Sequence, residues 1–294
     1  MATLEERLQE HIWRLAGEIG PRSPANGDAL DRAAAYIRQV LTDLGYPVQV
    51  QEYRWRGRPV CNLIAEIPGR EGLGETVILG AHYDTVPSTP GADDNASGVA
   101  ALLELAALAR PLRLRRTVRF VAFTLEEPPA FLTPHQGSRV YARALRERRE
   151  PVVAMLALEM LGYYRDQPGS QRFPFFAMRY RYPTTGNFVA VVGNLRSRYL
   201  VREVGEAFRT GSTLPVETLA TSPLLPGVAF SDHSAFWHYG YPAVMVTDTA
   251  FFRNPHYHRP GDRPETIDLA RLAACTRGLF AVVQRLGKAE DPLI

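Results

Sequence analysis

Several features that mark particular protein classes are scarce in this sequence. Only two of the 294 residues are cysteines, Cys61 and Cys275, and neither lies in a CxxC or Cys/His pattern, so a disulfide framework is excluded. Lysine occurs once, at Lys288, and the formal net charge is only +3. Because a concentrated basic stripe with interleaved aromatic residues is also missing, we expect no nucleic-acid partner.

Long apolar runs and targeting signals are missing too. The most apolar stretch, residues 99–109, is interrupted by Glu104. It is also much shorter than the roughly 20 residues that a membrane-spanning helix needs. The N-terminal residues are acidic and amphipathic, without the basic and then apolar regions of a secretory signal. We therefore expect no membrane association and a cytoplasmic location, while the oligomeric state stays open.

Hydrophobic periodicity predicts that strands and helices alternate along the chain. Helical patterns cover residues 4–19, 28–44, 96–109, 138–146, 199–208 and 268–286. Strand patterns cover residues 48–55, 62–67, 76–79, 118–124, 152–160, 188–192 and 243–248. This succession favours an α/β fold, a single domain over residues 1–294 with a mixed, largely parallel central sheet and helices on both faces. Two segments, 162–186 and 211–227, match no regular element, and we expect long loops there.

Acidic and histidine side chains collect directly after the predicted strands, where open α/β sheets place their ligands. They are His82 and Asp84 after 76–79, Asp93 and Asp94 in the next turn, Glu126 and Glu127 after 118–124, Glu159 near the end of 152–160, and His256 and His258 beyond 243–248. Adjacent buried glutamates need a compensating charge, and a metal ion provides one. Histidine with carboxylate ligands suits zinc, and two ions that share a carboxylate form a site for hydrolysis.

The ordered motifs resemble those of the zinc aminopeptidases of metallopeptidase family M28. The matching segments are AHYDTV at 81–86, GADDNASG at 91–98, LEE at 125–127, LEMLG at 158–162, SDHS at 231–234 and HYH at 256–258. Their order and approximate spacing fit over nearly the whole chain. The resemblance implies the phosphorylase/hydrolase-like fold of the zinc exopeptidases.

Carried onto this sequence, the resemblance implies two Zn²⁺ ions per chain, with Co²⁺ or Mn²⁺ as possible alternatives. His82 and Glu159 would bind one ion, and Glu127 and His258 the other. Asp94 would bridge the two ions. The peptide bond that follows this bridging residue tends to be cis in the family.

The resemblance also implies roles for three further side chains. Asp84 would orient His82, which fixes the tautomer of the ring and raises its basicity. Glu126 would be the general base that takes a proton from a water between the metals and returns it to the leaving amine. Tyr257 would donate a hydrogen bond to the developing oxyanion.

We expect a peptide substrate and cleavage of its N-terminal peptide bond. The free ammonium would lie against acidic groups near the metals. Aromatic residues of the segment 162–186, Tyr164 and Phe176 among them, are predicted to form an apolar pocket for the first side chain. His233 is expected near the substrate as well.

Three other functions remain open at this point. A glutaminyl-cyclase-like acyltransferase shares the resemblance but works with one zinc, and the presence of all five ligand positions argues against it. A carboxypeptidase of the same wider family is poorly separated from an aminopeptidase by sequence. A non-catalytic zinc-binding relative is the third, although neither a ligand nor the base is lost here.

Overall fold

Eight strands form one mixed sheet in the computed structural model, which describes residues 2–70 and 74–290. The strands are β1 (Gln49–Trp55), β2 (Arg58–Ile67), β3 (Thr76–His82), β4 (Thr117–Phe123), β5 (Val152–Glu159), β6 (Val189–Asn194), β7 (Val216–Thr221) and β8 (Ala243–Thr247). Their order across the sheet is β1-β2-β4-β3-β5-β8-β6-β7.

The centre of the sheet is parallel and both flanks contain antiparallel pairs. β3 runs parallel to β4 and β5, and β5 runs parallel to β8. At one edge β1 and β2 are antiparallel to their neighbours, and on the other side β6 is antiparallel to β8 and parallel to β7. The predicted mixed, largely parallel sheet is confirmed.

Seven α-helices cover the sheet. They are α1 (Leu4–Ile12), α2 (Gly27–Asp43), α3 (Gly98–Ala109), α4 (Gly137–Glu147), α5 (Arg198–Gly211), α6 (His233–His238) and α7 (Leu269–Gly287) in the described residues. Val77 and Leu79 of β3 belong to the large core that contains α1, α2, α3, α5 and α7, whereas Ile78 belongs to a second core with α4 and α6. Because successive strand residues point to opposite faces, helices cover both faces, as predicted.

Helix α3 lies at the centre of the larger core, and its amino-acid sequence fits this position. All but one of its residues are apolar or glycine, which is typical of a helix buried on all sides. Its only charged residue, Glu104, pairs with Arg7 at 2.7 Å and with His11 at 3.2 Å. In the described part of the chain no helix is long and apolar enough to cross a membrane.

The structure corrects the prediction for the segment 211–227. Residues 216–221 form strand β7, which pairs with β6 at the edge of the sheet. The sequence VETLAT mixes polar and apolar residues, and five of its six side chains are partly exposed, so it lacks the apolar run or strict alternation of a typical strand. The short helix α6 was also not predicted, since six residues are too few for a helical pattern to stand out.

Candidate metal centre and substrate cavity

Four neighbouring parallel strands, β4, β3, β5 and β8, end at the same edge of the sheet. His82 and Glu159 are the last residues of β3 and β5, and Glu127 lies in the loop after β4. Asp94 lies in the turn between β3 and α3, and His258 follows β8. The strand ends therefore bring the five sequence-predicted ligands to one place.

Two groups of ligand atoms result, and Asp94 belongs to both. Nε2 of His82 lies 3.3 Å from Oδ1 of Asp94 and 3.4 Å from Oε2 of Glu159. Nε2 of His258 lies 3.2 Å from Oδ2 of Asp94 and 3.2 Å from Oε1 of Glu127. In each group the ligand atoms lie within 4.8 Å of one another, which is the spacing of atoms that share a metal ion.

The turn that carries Asp94 is fixed by hydrogen bonds from several elements. The carboxylate of Asp262 accepts the backbone N–H groups of Asp93 and Asp94 at 2.8 and 3.0 Å. The side-chain amide of Asn95 donates to the carbonyl of Leu158 and accepts the N–H of Met160, which ties the turn to the end of β5. The peptide bond between residues 94 and 95 is cis, as the resemblance implies.

Asp84 connects β3 with the loop that follows β4. Its two carboxylate oxygens accept the backbone N–H groups of Glu126 and Glu127, at 3.0 and 3.1 Å. Nδ1 of His82 lies 3.1 Å from the backbone carbonyl oxygen of Asp84 and 3.7 Å from its carboxylate. Asp84 therefore contacts the imidazole through its main chain, while its carboxylate positions both glutamates.

Burial and mutual contacts shift the pKa values of these groups strongly. Burial raises the pKa of Glu126 well above its ordinary value, against the influence of His82, and raises that of Glu127 to about 7. Burial acts in the same direction on Asp94, but hydrogen bonds from both histidines lower its pKa below the usual range. Burial alone would lower the pKa of each histidine, yet the carboxylates raise that of His82 and bring that of His258 to about 10.

The donor set fits a borderline divalent cation such as zinc, which takes imidazole nitrogen and carboxylate oxygen. Among the residues that the structure describes, these carboxylates form no ion pair with arginine or lysine. The carboxylates raise the pKa values of both histidines because negative charge collects at this site, and a bound cation would compensate that charge. Both groups could therefore hold a metal ion.

Three supporting residues were not identified from the sequence. Arg22 is fully buried, and its guanidinium donates to the carbonyls of residues 15, 20, 83, 90 and 91 around the loops next to the site. Asp262 accepts from the Asp94 turn, and Ser231 donates to Oε2 of Glu159 at 2.7 Å. Ser231 and Asp262 lie in or beside the matched motifs, but only the fold shows what each contacts.

A cavity of about 110 Å³ opens beside the first group of ligands. Glu159 and Tyr257 line it at this end, and Phe173, Phe188 and Met245 are among its apolar walls. The ring of Tyr257 also stacks on that of His258, with centroids 3.8 Å apart. The cavity therefore joins the candidate metal centre to an apolar surface.

The three residues expected to bind substrate do not line this cavity. Tyr164 is buried in the core, and Phe176 is 68% exposed on a short 3₁₀ helix, Phe176–Tyr180. His233 is fully buried, and its Nε2 lies 2.8 Å from the carbonyl oxygen of Val228. Aromatic composition pointed to the segment 162–186, and Phe173 of that segment does line the cavity, but composition could not show which rings face inward.

Sequence comparison places the chain in a family. The model of peptidase family M28 matches residues 62–283, well over half of the chain. The uncharacterised protein YfbL of Escherichia coli is 41% identical over 286 residues, which cover 95% of this chain and 87% of that protein. Leucine aminopeptidase 1 of Penicillium rubens is 32% identical over 205 residues, which are 65% of this chain and 46% of that protein. The matched region thus spans less than half of that aminopeptidase.

Solved structures share the fold at low sequence identity. A zinc aminopeptidase from Bacillus subtilis superimposes with a TM-score of 0.76 at 17% identity, over 99% of this chain and 96% of that one. A glutaminyl cyclase from Fimbriiglobus ruber gives a TM-score of 0.68 at 21% identity, over 95% and 94% of the two chains. The fold alone is therefore common to peptidase and cyclase. The match of the family model over residues 62–283 shows that the chain belongs to peptidase family M28, and it is a metallopeptidase.

Proposed function

We propose that the protein is a two-zinc aminopeptidase that hydrolyses the N-terminal peptide bond of peptides. The observation that carries this proposal is the pair of ligand groups that share Asp94. Two ions held by one carboxylate form the arrangement that two-metal hydrolases use. The zinc aminopeptidase from Bacillus subtilis with the same fold supports zinc as the metal.

The side chains around the two groups have distinct roles in this proposal. Bound zinc supplies a Lewis acid for the scissile carbonyl and lowers the pKa of coordinated water. Glu126 accepts the proton of the attacking water and donates it to the leaving amine. Its raised pKa, caused first by burial, suits a group that must take up and release a proton.

Two further residues act on the substrate and on the base. Tyr257, which lines the cavity next to His258, donates a hydrogen bond to the developing oxyanion. Asp84 holds the backbone of Glu126 and Glu127 and thereby places the base and a ligand together. The cavity beside Glu159 receives the first side chain, while the carboxylates near it attract the free ammonium of the substrate.

The first test measures metal content and hydrolysis of a panel of aminoacyl p-nitroanilides with free or acetylated amines. We expect two zinc ions per chain, activity on the free amines only, and a fall in kcat of roughly 10²- to 10⁴-fold in Glu126→Gln with metal retained. Glu52→Gln, an exposed glutamate on β1, is the matched control and should behave as the wild type.

Three results would contradict the proposal. One zinc per chain together with cyclisation of N-terminal glutamine would favour the glutaminyl cyclase function, whose fold is shared. Hydrolysis of acetylated dipeptides from the C-terminal end would favour a carboxypeptidase. Stoichiometric zinc without hydrolysis of any substrate would favour a binding protein.

A further inference from the structure

The register of the sheet defines the floor of the cavity. Glu159 of β5 pairs with Thr247 of β8, Thr247 pairs with Ala190 of β6, and Ala190 pairs with Glu217 of β7. Paired residues of neighbouring strands point to the same face, and all four line the cavity. One row of side chains therefore runs across four strands, from a candidate metal ligand to a second glutamate.

The two carboxylates at the ends of this row are separated by an apolar trough. Three steps between strands of about 4.8 Å place the Cα atoms of Glu159 and Glu217 about 14 Å apart. The next row along the same face consists of Met245, Val192 and Leu219, which also line the cavity. Between the two glutamates the floor therefore offers methyl, methylene and thioether groups, with one threonine hydroxyl.

Glu217 has no partner of its own in the described part of the chain. Its carboxylate takes part in no ion pair or hydrogen bond there, although it is partly buried. Burial raises the pKa of this carboxyl above its ordinary value, and the charges of Arg209 and Arg181 oppose this only in part. Glu217 therefore lies at the end of an apolar trough without a direct ion pair or hydrogen bond in the described residues, and the nearby charges of Arg209 and Arg181 offset its burial only in part.

We propose that Glu217 selects peptides whose first residue is lysine or arginine. These side chains combine an apolar stem with a terminal cation, and they lay the stem along apolar surface while the charge reaches a polar group. An extended lysine or arginine places its charge roughly 6 to 7 Å from its Cα, which together with the reach of a glutamate spans the trough. Leucine fills only the part of the trough nearest the metal ligands.

This inference rests on the proposed aminopeptidase function, and the test separates the two. Values of kcat/KM are measured for lysyl, arginyl, norleucyl and leucyl p-nitroanilides with the zinc-loaded wild type and with Glu217→Gln. Norleucine carries an unbranched apolar chain without the cation and is the reference substrate. We expect the wild type to favour lysine and arginine, and the variant to lose roughly tenfold on these two substrates only.

A charge reversal and a distant variant complete the experiment. Glu217→Lys should lower kcat/KM for lysine and arginine further, with norleucine and leucine again unchanged. Glu206→Gln removes a carboxylate from α5 that lies outside the cavity and pairs with Arg202, and it should leave all four values unchanged. Retained leucine hydrolysis shows in each variant that the protein is folded and loaded with metal.

The outcomes distinguish a failure of the selection by Glu217 from a failure of the aminopeptidase function. If all four substrates are cleaved and the ratio of lysine to norleucine is the same in the wild type and Glu217→Gln, the selection by Glu217 is overturned and the aminopeptidase function stands. If no substrate is cleaved by any form, the aminopeptidase function is overturned, and this inference with it.

Discussion

The two ligand groups of the candidate metal centre have nearly the same internal distances but differ in access to solvent. The group of His82, Asp94 and Glu159 is buried throughout, and the side chain of His82 is 1% exposed. In the group of Asp94, Glu127 and His258, the histidine side chain is 29% exposed. We call them the buried group and the exposed group.

The two groups also differ in what holds their ligands. His82 and Glu159 of the buried group end two neighbouring parallel strands, and Glu159 accepts a hydrogen bond from Ser231. Glu127 and His258 of the exposed group lie in loops, and His258 has a positive φ of 56°. From this difference we expect the buried group to hold a metal ion tightly with slow exchange, and the exposed group to hold a more accessible one.

Loss of the shared ligand should abolish the difference between the groups. Asp94→Ala removes one ligand oxygen from each group, so we expect both metals to be lost. Activity should fall by more than about 10³-fold, which is more than the usual effect of replacing a residue outside the ligand shell. Metal content after gel filtration checks this. Asp166→Asn, an exposed aspartate paired with Arg271, is the control, and two metals retained in Asp94→Ala would refute the bridging role.

Replacing one histidine at a time should separate the groups. His258→Ala is expected to keep one tightly bound zinc in the buried group, while His82→Ala leaves at most one zinc that exchanges readily. Both variants should lose most activity because each lacks one of the two ions. Equal zinc affinity in the two variants, measured by competition with a chromophoric chelator, would show that burial does not set the order of binding.

The same comparison explains how much of the site the sequence could predict. Candidate ligands at strand ends were predictable because apolar strand patterns have clear ends and parallel strands finish at one edge of the sheet. His82 and Glu159 are such residues, and the motifs around Asp94, Glu127 and His258 supplied the others. Strand positions and helices on both faces followed from the periodicity of the chain for the same reason.

The cavity could not be predicted in this way. Its floor depends on the pairing of β7 with β6, and β7 carries no regular apolar pattern. Tyr164, Phe176 and His233 were selected for their type and for their place in a segment or motif, whereas inward orientation is set by packing between distant segments. Glu217 was missed because its importance comes only from the register that aligns it with Glu159.

Graded chelation should reveal the two groups in the unmodified protein. We expect EDTA to remove one equivalent of zinc quickly and the second slowly, because only the exposed group offers a partly accessible ligand. Activity should decline with the fast phase. A fluorescent zinc indicator can follow the release of zinc and thereby measure both phases. His258→Ala should show the slow phase alone. A single phase in the wild type would contradict the distinction between the two groups.

The smallest expected effect concerns Ser231, which touches only the buried group. Its hydroxyl donates to Oε2 of Glu159 at 2.7 Å, and partners of this kind orient a ligand and typically change metal affinity by 10- to 100-fold. Ser231→Ala should therefore weaken zinc binding in the buried group by about tenfold and leave the exposed group unchanged. Ser234→Ala is the matched control, because its hydroxyl donates to the backbone carbonyl of Ser231 and not to a ligand. If both serine variants bind zinc as the wild type does, the hydrogen bond from Ser231 to Glu159 contributes nothing measurable to zinc affinity. The tighter binding of the buried group must then come from the position of its ligands at the strand ends alone.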